Sequence, residues 1–150
     1  MTNDFPTSTY RPFTEDSGGA IGFSIFAEAP RVLHVDSDHD AALVLAALLV
    51  PETQVTHVPT LAAAQEMLQK GKFALVVLDP DLPDGDGVDL LYDLRRQQAE
   101  ARVLMYSARH PEQHHAGNAF LPKPWTSPRQ LWRTVSDLLG IGPAMPVEPQ

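Results

Sequence analysis

Cysteine is absent from these 150 residues. Its absence excludes disulfides and thiolate metal sites and is compatible with a reducing compartment such as the cytosol. Basic residues are few: 11 Lys and Arg stand against 19 Asp and Glu, for a formal charge of −8. A nucleic-acid binder normally carries a basic stripe, so direct DNA binding is not expected. No apolar run approaches the length of a membrane span, and the N-terminus lacks the basic start and long apolar segment of a signal peptide. Proline, in contrast, is plentiful at 14 residues, which suits one domain with irregular ends.

Residues 1–29 mix Pro, Thr, Ser and Gly without a sustained period and read as a flexible arm. Within it the apolar stretch from Ala20 to Phe26, holding Phe23, is suited to docking on the domain or a partner, or to adding an edge strand. From Arg31 onward strand and helix patterns alternate. Val32–Val35 reads as a strand, and Asp38 caps a helix whose buried face is assigned to Ala41, Val44, Leu45, Leu48 and Leu49. Pro51 stops that helix.

Gln54–Val58 alternates like a more exposed strand. Thr60 caps a helix carrying Leu61, Ala64 and Leu68 that stops at Gly71. Phe73–Leu78 is an unbroken apolar run and reads as a buried central strand. A helix over 87–97 uses Leu90, Leu91 and Leu94, and strands follow over 102–106 and 119–121. Ser127 and Pro128 start a last helix with Leu131, Val135, Leu138 and Leu139 on its apolar face, ended by Gly140. Residues 141–150 form a Pro-rich tail. Repeated strand–helix–strand units impose right-handed crossovers and a doubly wound parallel sheet. The expected fold is α/β and flavodoxin-like, with five strands in the order 2-1-3-4-5. Only about ten residues separate Ser107 from the last strand, near the lower limit for a helical crossover. They carry no apolar stripe, so the fourth helix is expected to be truncated or absent.

Asp79 is the most informative position. It closes the central strand and opens the turn Pro80-Asp81-Leu82-Pro83-Asp84-Gly85-Asp86-Gly87, at the carboxyl edge where open α/β sheets bind ligands. Three other strands end on the same edge in Asp36, Ser107 and Lys123. Two acids, a hydroxyl and a lysine in that order point to phosphoryl chemistry, because a carboxylate attacks phosphorus only when cations neutralise the approaching oxygens. Clustered acids would hold Mg²⁺, which favours hard oxygen ligands and keeps several waters.

On these residues the chain resembles the receiver domain of bacterial two-component response regulators. The likeness covers about Arg31 to Gly140 and is carried by Leu-Asp-Pro-Asp-Leu-Pro-Asp-Gly-Asp-Gly at 78–87 and Leu-Pro-Lys-Pro-Trp at 121–125. It implies a domain over 30–140 in which Asp79 accepts a phosphoryl group from a histidine kinase or phosphotransfer protein. It further implies that Asp36, Asp79 and the backbone carbonyl of Asp81 hold Mg²⁺. By the same likeness Lys123 and Ser107 contact the phosphoryl oxygens, Phe120 swings with Ser107 on activation, and the peptide before Pro124 is cis.

The family usually has two adjacent acids after the first strand, the second being a direct metal ligand. Here that position is Ser37, a neutral and weaker ligand, so weaker Mg²⁺ binding is expected; Asp38, one residue on, reads as a helix cap. Two roles are open for Asp81: leaning toward the metal, or pairing with Arg109 to screen the phosphoryl group from water. His110, His114 and His115 in a polar loop without acid or Cys partners read as solvated. Trp125 reads as packing, His34 as a hydrogen-bonded core residue, and Tyr92, Arg95 and Arg96 as the outer side of a helix.

The expected function is a cytoplasmic single-domain response regulator, a signalling phosphoacceptor and not an enzyme beyond weak autophosphatase activity. Its output is protein–protein contact or phosphotransfer, with a homodimer among the open assemblies. The alternative is a phosphorylation-independent pseudo-receiver, favoured by Ser37 and the shortened crossover. A small phosphohydrolase, suggested by the Asp79-Pro80-Asp81 pair, fits less well because the paired aspartates of haloacid dehalogenase-type phosphatases follow the first strand.

Overall fold

The structure, a computed structural model, describes residues 29–50, 52–108, 117–124 and 126–141. The elements run β1 (Arg31–Val35), α1 (His39–Leu49), β2 (Gln54–Val58), α2 (Leu61–Lys70), β3 (Leu75–Leu78), β4 (Asp81–Leu82), β5 (Gly85–Asp86), α3 (Val88–Gln97), β6 (Arg102–Ser107), β7 (Ala119–Pro122) and α4 (Pro128–Leu139). Five strands form one parallel sheet in the order β2-β1-β3-β6-β7. Counting sheet strands alone, this is the expected 2-1-3-4-5 order. β4 and β5 form a separate antiparallel hairpin after the central strand, within the turn expected over residues 80–87.

Strand chemistry explains the layering. Leu75, Val76, Val77 and Leu78 of β3 are all inaccessible to solvent, as a central parallel strand covered on both faces requires. Alternate residues divide between two cores. Leu33, Val35, Val76, Leu78, Val103 and Met105 pack with Ala64, Leu68, Leu90 and Leu94 of α2 and α3. Val32, Val77 and Leu104 pack with Leu45 and Leu49 of α1 and Leu131, Trp132 and Val135 of α4. The β3 ladder begins at Leu75, not Phe73. Phe73 is instead buried, and its amide donates to Gln98 Oε1 at 2.8 Å.

The helix caps lie where the sequence puts them. Asp38 accepts from the amides of Asp40 and Ala41, Thr60 from Ala63, and Ser127 from Gln130. Each replaces an acceptor that the first helical turn lacks. Gly140 ends α4 with φ 72°, the left-handed cap glycine adopts without a Cβ penalty.

The buried face of α1 is a correction. The observed stripe is Ala42, Leu45 and Leu49, while Val44 is 53% exposed and Leu43 58% exposed. Ala41 and Leu48 are only half-buried. Nine of the eleven residues of this helix are apolar, so periodicity gives it no phase; the Asp38 cap and the packing on β1 set its rotation. On α4, Leu138 and Leu139 are half-buried and Trp132 takes the core position beside Leu131 and Val135.

Among the described residues no helix lies between β6 and β7. Arg109, His110, His114 and His115 lie outside the described residues, as do Pro51, Trp125, the arm up to position 28 and the tail from position 142.

Candidate functional site

Parallel strands end together, and the backbone continues the ladder one residue past three of them. The amide of Asp36 donates to the Val58 carbonyl at 3.0 Å, that of Asp79 to Val35 at 2.9 Å, and that of Lys123 to Ser107 at 3.0 Å. Three reactive side chains are thereby fixed at one edge of the sheet. The Lys123–Pro124 peptide at this edge is cis.

The side chains meet. Lys123 Nζ donates to Asp36 Oδ2 at 2.6 Å and to Asp79 Oδ2 at 2.8 Å. Asp36 is fully buried and Asp79 is 9% exposed, so the ammonium bridges two carboxylates in a largely desolvated corner. The other oxygens are also held: Asp36 Oδ1 accepts the Asp38 amide at 2.8 Å, and Asp79 Oδ1 accepts the Asp81 amide at 3.0 Å. Burial alone would raise the pKa of Asp36. The nearby His34 imidazole, the Lys123 ammonium and the Asp38 amide outweigh it and hold the carboxyl below its ordinary range. Burial alone would likewise lower Lys123, and the two carboxylates instead raise it. The arrangement is a fixed pair of anions with a cation between them.

Ser107 is fully buried at the end of β6, in register with Pro122 of β7. Phe120 is half-buried and packs against the core beneath α2 and α3. Ser37 is exposed beside Asp36. The side chain of Asp81 is exposed at the start of the β4–β5 hairpin, and its pairing with Arg109 falls outside the described residues. Asp38 serves the α1 cap.

One expectation is corrected here, and three further contacts have no local signal in the sequence. His34 is fully buried as expected, but the expected hydrogen bonding is absent: neither ring nitrogen has a hydrogen-bond partner, and Nε2 stands 3.3 Å from Asp36 Oδ2. His57, its register partner on β2, donates Nε2–H to the backbone carbonyl of Asp36 at 2.7 Å. The Lys123 ammonium stands 5.3 Å from the ring centre of Tyr106, close enough for a cation–π attraction. Asp84 reaches from the hairpin to the α2 N-terminus, accepting from Leu61 at 2.8 Å and Ala62 at 2.9 Å. The Asp84-Gly85 turn signal is local, but its partner lies 23 residues away.

Gly87 closes this loop. Its amide donates to the Pro80 carbonyl at 2.9 Å, and a Cβ there would fall 2.8 Å from the Pro80 Cα. Only glycine allows the two backbones to approach so closely.

The donor chemistry suits a hard divalent cation, because the two carboxylates brought to this edge are the hard oxygen ligands that Mg²⁺ favours. The bridging Lys123 ammonium shows that the corner between Asp36 and Asp79 accommodates positive charge. Among the described residues no three acid or imidazole side chains converge as a closed metal cage.

Comparison with known proteins gives one family. The response regulator receiver domain matches residues 32–134. Among solved structures, a sensor protein from a Polaromonas species is 26% identical with a TM-score of 0.66, covering 74% of this chain and 96% of its own. A chemotaxis response regulator of Vibrio cholerae is 21% identical with a TM-score of 0.66, covering 73% and 98%. The receiver domain of a sensor histidine kinase from Pseudomonas aeruginosa, with a magnesium ion coordinated in its active-site cleft, is 20% identical with a TM-score of 0.67, covering 75% and 98%. No curated protein matches the sequence significantly. Among the described residues no helix is long and apolar enough to cross a membrane.

Proposed function

This chain belongs to the response regulator receiver domain family of two-component signalling, and from that premise we propose that Asp79 accepts a phosphoryl group from a histidine kinase or phosphotransfer protein. One observation carries the reading: Lys123 Nζ lies within 2.8 Å of both Asp79 and the buried Asp36. The carboxylate oxygen of Asp79 forms the new O–P bond. The P–N bond of the donor phosphohistidine breaks, and its electron pair returns to the imidazole nitrogen, which takes a proton from solvent.

Each residue has a part in that transfer. Asp79 Oδ1 is oriented by the Asp81 amide, leaving the carboxylate aimed along a fixed direction. Lys123 follows the developing negative charge on the transferred group, and the buried Ser107 supplies a hydroxyl at the same edge. Asp36, Asp79 and the Asp81 carbonyl would hold Mg²⁺, which when bound neutralises the phosphoryl oxygens. With Ser37 in place of a second acid, that affinity is weaker than two adjacent carboxylates would give. Signalling then proceeds in the cytoplasm through altered protein contacts or onward phosphotransfer, with Phe120 responding to Ser107.

Intact-protein mass after incubation with acetyl phosphate and Mg²⁺ tests the reading. One added phosphoryl group, absent in Asp79→Ala, is the expected result. No adduct at any Mg²⁺ concentration would instead support the pseudo-receiver, the reading that the exposed Ser37 favours.

A further inference from the structure

Every polar atom of Asp36 has a neighbour. Its amide is held by the Val58 carbonyl and Oδ1 by the Asp38 amide, while Oδ2 faces Lys123 and His34 and the carbonyl accepts from His57. Two of these neighbours are the register partners His34 and His57, whose ring centres lie 5.6 Å apart across β1 and β2. We infer that His34 and His57 form a histidine brace, positioning residues that fix the Asp36 carboxylate from behind for cation binding.

The geometry gives the reason. His34 is fully inaccessible in the α1–α4 layer, directly beneath Asp36 on the same strand face. An imidazole buried with no hydrogen-bond partner at Nδ1 or Nε2 costs stability that an apolar side chain would not. What the ring faces is charge: Nε2 stands 3.3 Å from Asp36 Oδ2, an electrostatic approach short of a hydrogen bond. In this structure Lys123 is the main donor to that oxygen, at 2.6 Å. When Lys123 turns toward an incoming phosphoryl group, the Nε2 edge of His34, 3.3 Å away, is the side-chain group left facing Oδ2. It is locked by packing and cannot follow. His57 fixes the main chain of the same residue. Outer donors of this kind orient ligating carboxylates and commonly change metal affinity by about ten- to a hundredfold when removed. The brace bears on a site that has a single carboxylate after β1, because Ser37 supplies no second one.

This inference rests on the proposed Asp36–Asp79 cation site, and its test separates the two. The readout is Mg²⁺ titration of the full chain followed by amide chemical shifts at Asp36, Asp38 and Asp81, with thermal melting in the absence of Mg²⁺ as a check on folding. H34L fills the space without a donor; it should melt at or above the native temperature yet bind Mg²⁺ about tenfold more weakly. H34Q restores an N–H near the Nε2 position and should recover most of the affinity. Native Mg²⁺ affinity in H34L overturns the brace while leaving the cation site intact. If H34L does not fold cooperatively, H57F decides: it keeps a ring and removes the donor to the Asp36 carbonyl, so weakened binding supports the brace and unchanged binding overturns it. A wild-type chain that shows no Mg²⁺ shifts at these amides and gains no phosphoryl group overturns the site and the brace together.

Discussion

Lys123 and Asp36, 87 positions apart in the chain, meet at 2.6 Å with the carboxylate fully buried. A pair of this kind contributes little when intact, because desolvation offsets most of the attraction, but breaking it from one side leaves an unpaired charge. Asp79 makes the arrangement asymmetric, since the loss of one ammonium leaves two carboxylates facing each other.

Lys123→Met is therefore expected to lower stability in urea denaturation by up to about 3 kcal/mol at pH 7, the low end of the range for a broken buried pair because the lysine side chain keeps 14% exposure. The pH dependence follows from the signs. Asp36 is depressed in the folded state, so its contribution is present above the unfolded value near 3.9 and is lost as pH falls through the lower folded value. Lys123 is raised, so its contribution is present below roughly 10.4 and is lost as pH rises through the higher folded value. The gap between native and mutant should close at both extremes. A gap constant from pH 3 to 11 would mean that the charges are not its source.

Asp84→Ala tests the tie between hairpin and helix. The amides of Ala62 and Leu61 hold the Asp84 carboxyl below its ordinary range, at the end of α2 where the helix dipole also favours an anion. The melting temperature of the mutant should fall below native at pH 7, and the two should converge as pH drops below about 4. Equal melting at pH 7 would show that the contact is not formed in solution.

The α1 face gives a sharper contrast. Leu45 is inaccessible and its neighbour Val44 is 53% exposed. Leu45→Ala should cost about 2–5 kcal/mol, the range for a buried leucine truncated to alanine, while Val44→Gln should stay within about 0.5 kcal/mol of native. A cost for Val44→Gln as large as that for Leu45→Ala in urea denaturation would restore the face that the sequence pattern assigned, which holds both residues.

That face shows where sequence reading stops. Asp36, Asp79, Ser107 and Lys123 were legible because each closes a short apolar run, and the run together with its turn is a local signal. The caps Asp38, Thr60 and Ser127 were legible for the same reason. The rotation of α1 was not, since almost any face of that helix is apolar. Nor could sequence place His34 beside His57 and both against Asp36: that depends on the register of β1 with β2, which no local pattern encodes. The Asp84 contact to α2 fails the same way, its donor being set by where the hairpin folds back.

Ser37→Asp should move binding and stability in opposite directions. The position is exposed and immediately follows the buried Asp36, so a carboxylate there would add a third anion to a corner already holding two around one ammonium. Without cation the new charge is repelled, and the melting temperature should drop. With a divalent cation the added oxygen is a direct ligand, and affinity rises with ligand charge. Because a ligand that binds only the folded state stabilises it in proportion to the logarithm of its concentration over Kd, the mutant should gain more from saturating Mg²⁺ than the native chain does. Melting curves over a Mg²⁺ series would show the two lines crossing. Parallel lines would place position 37 outside the cation's reach, and the weak affinity assigned to Ser37 would then need another source.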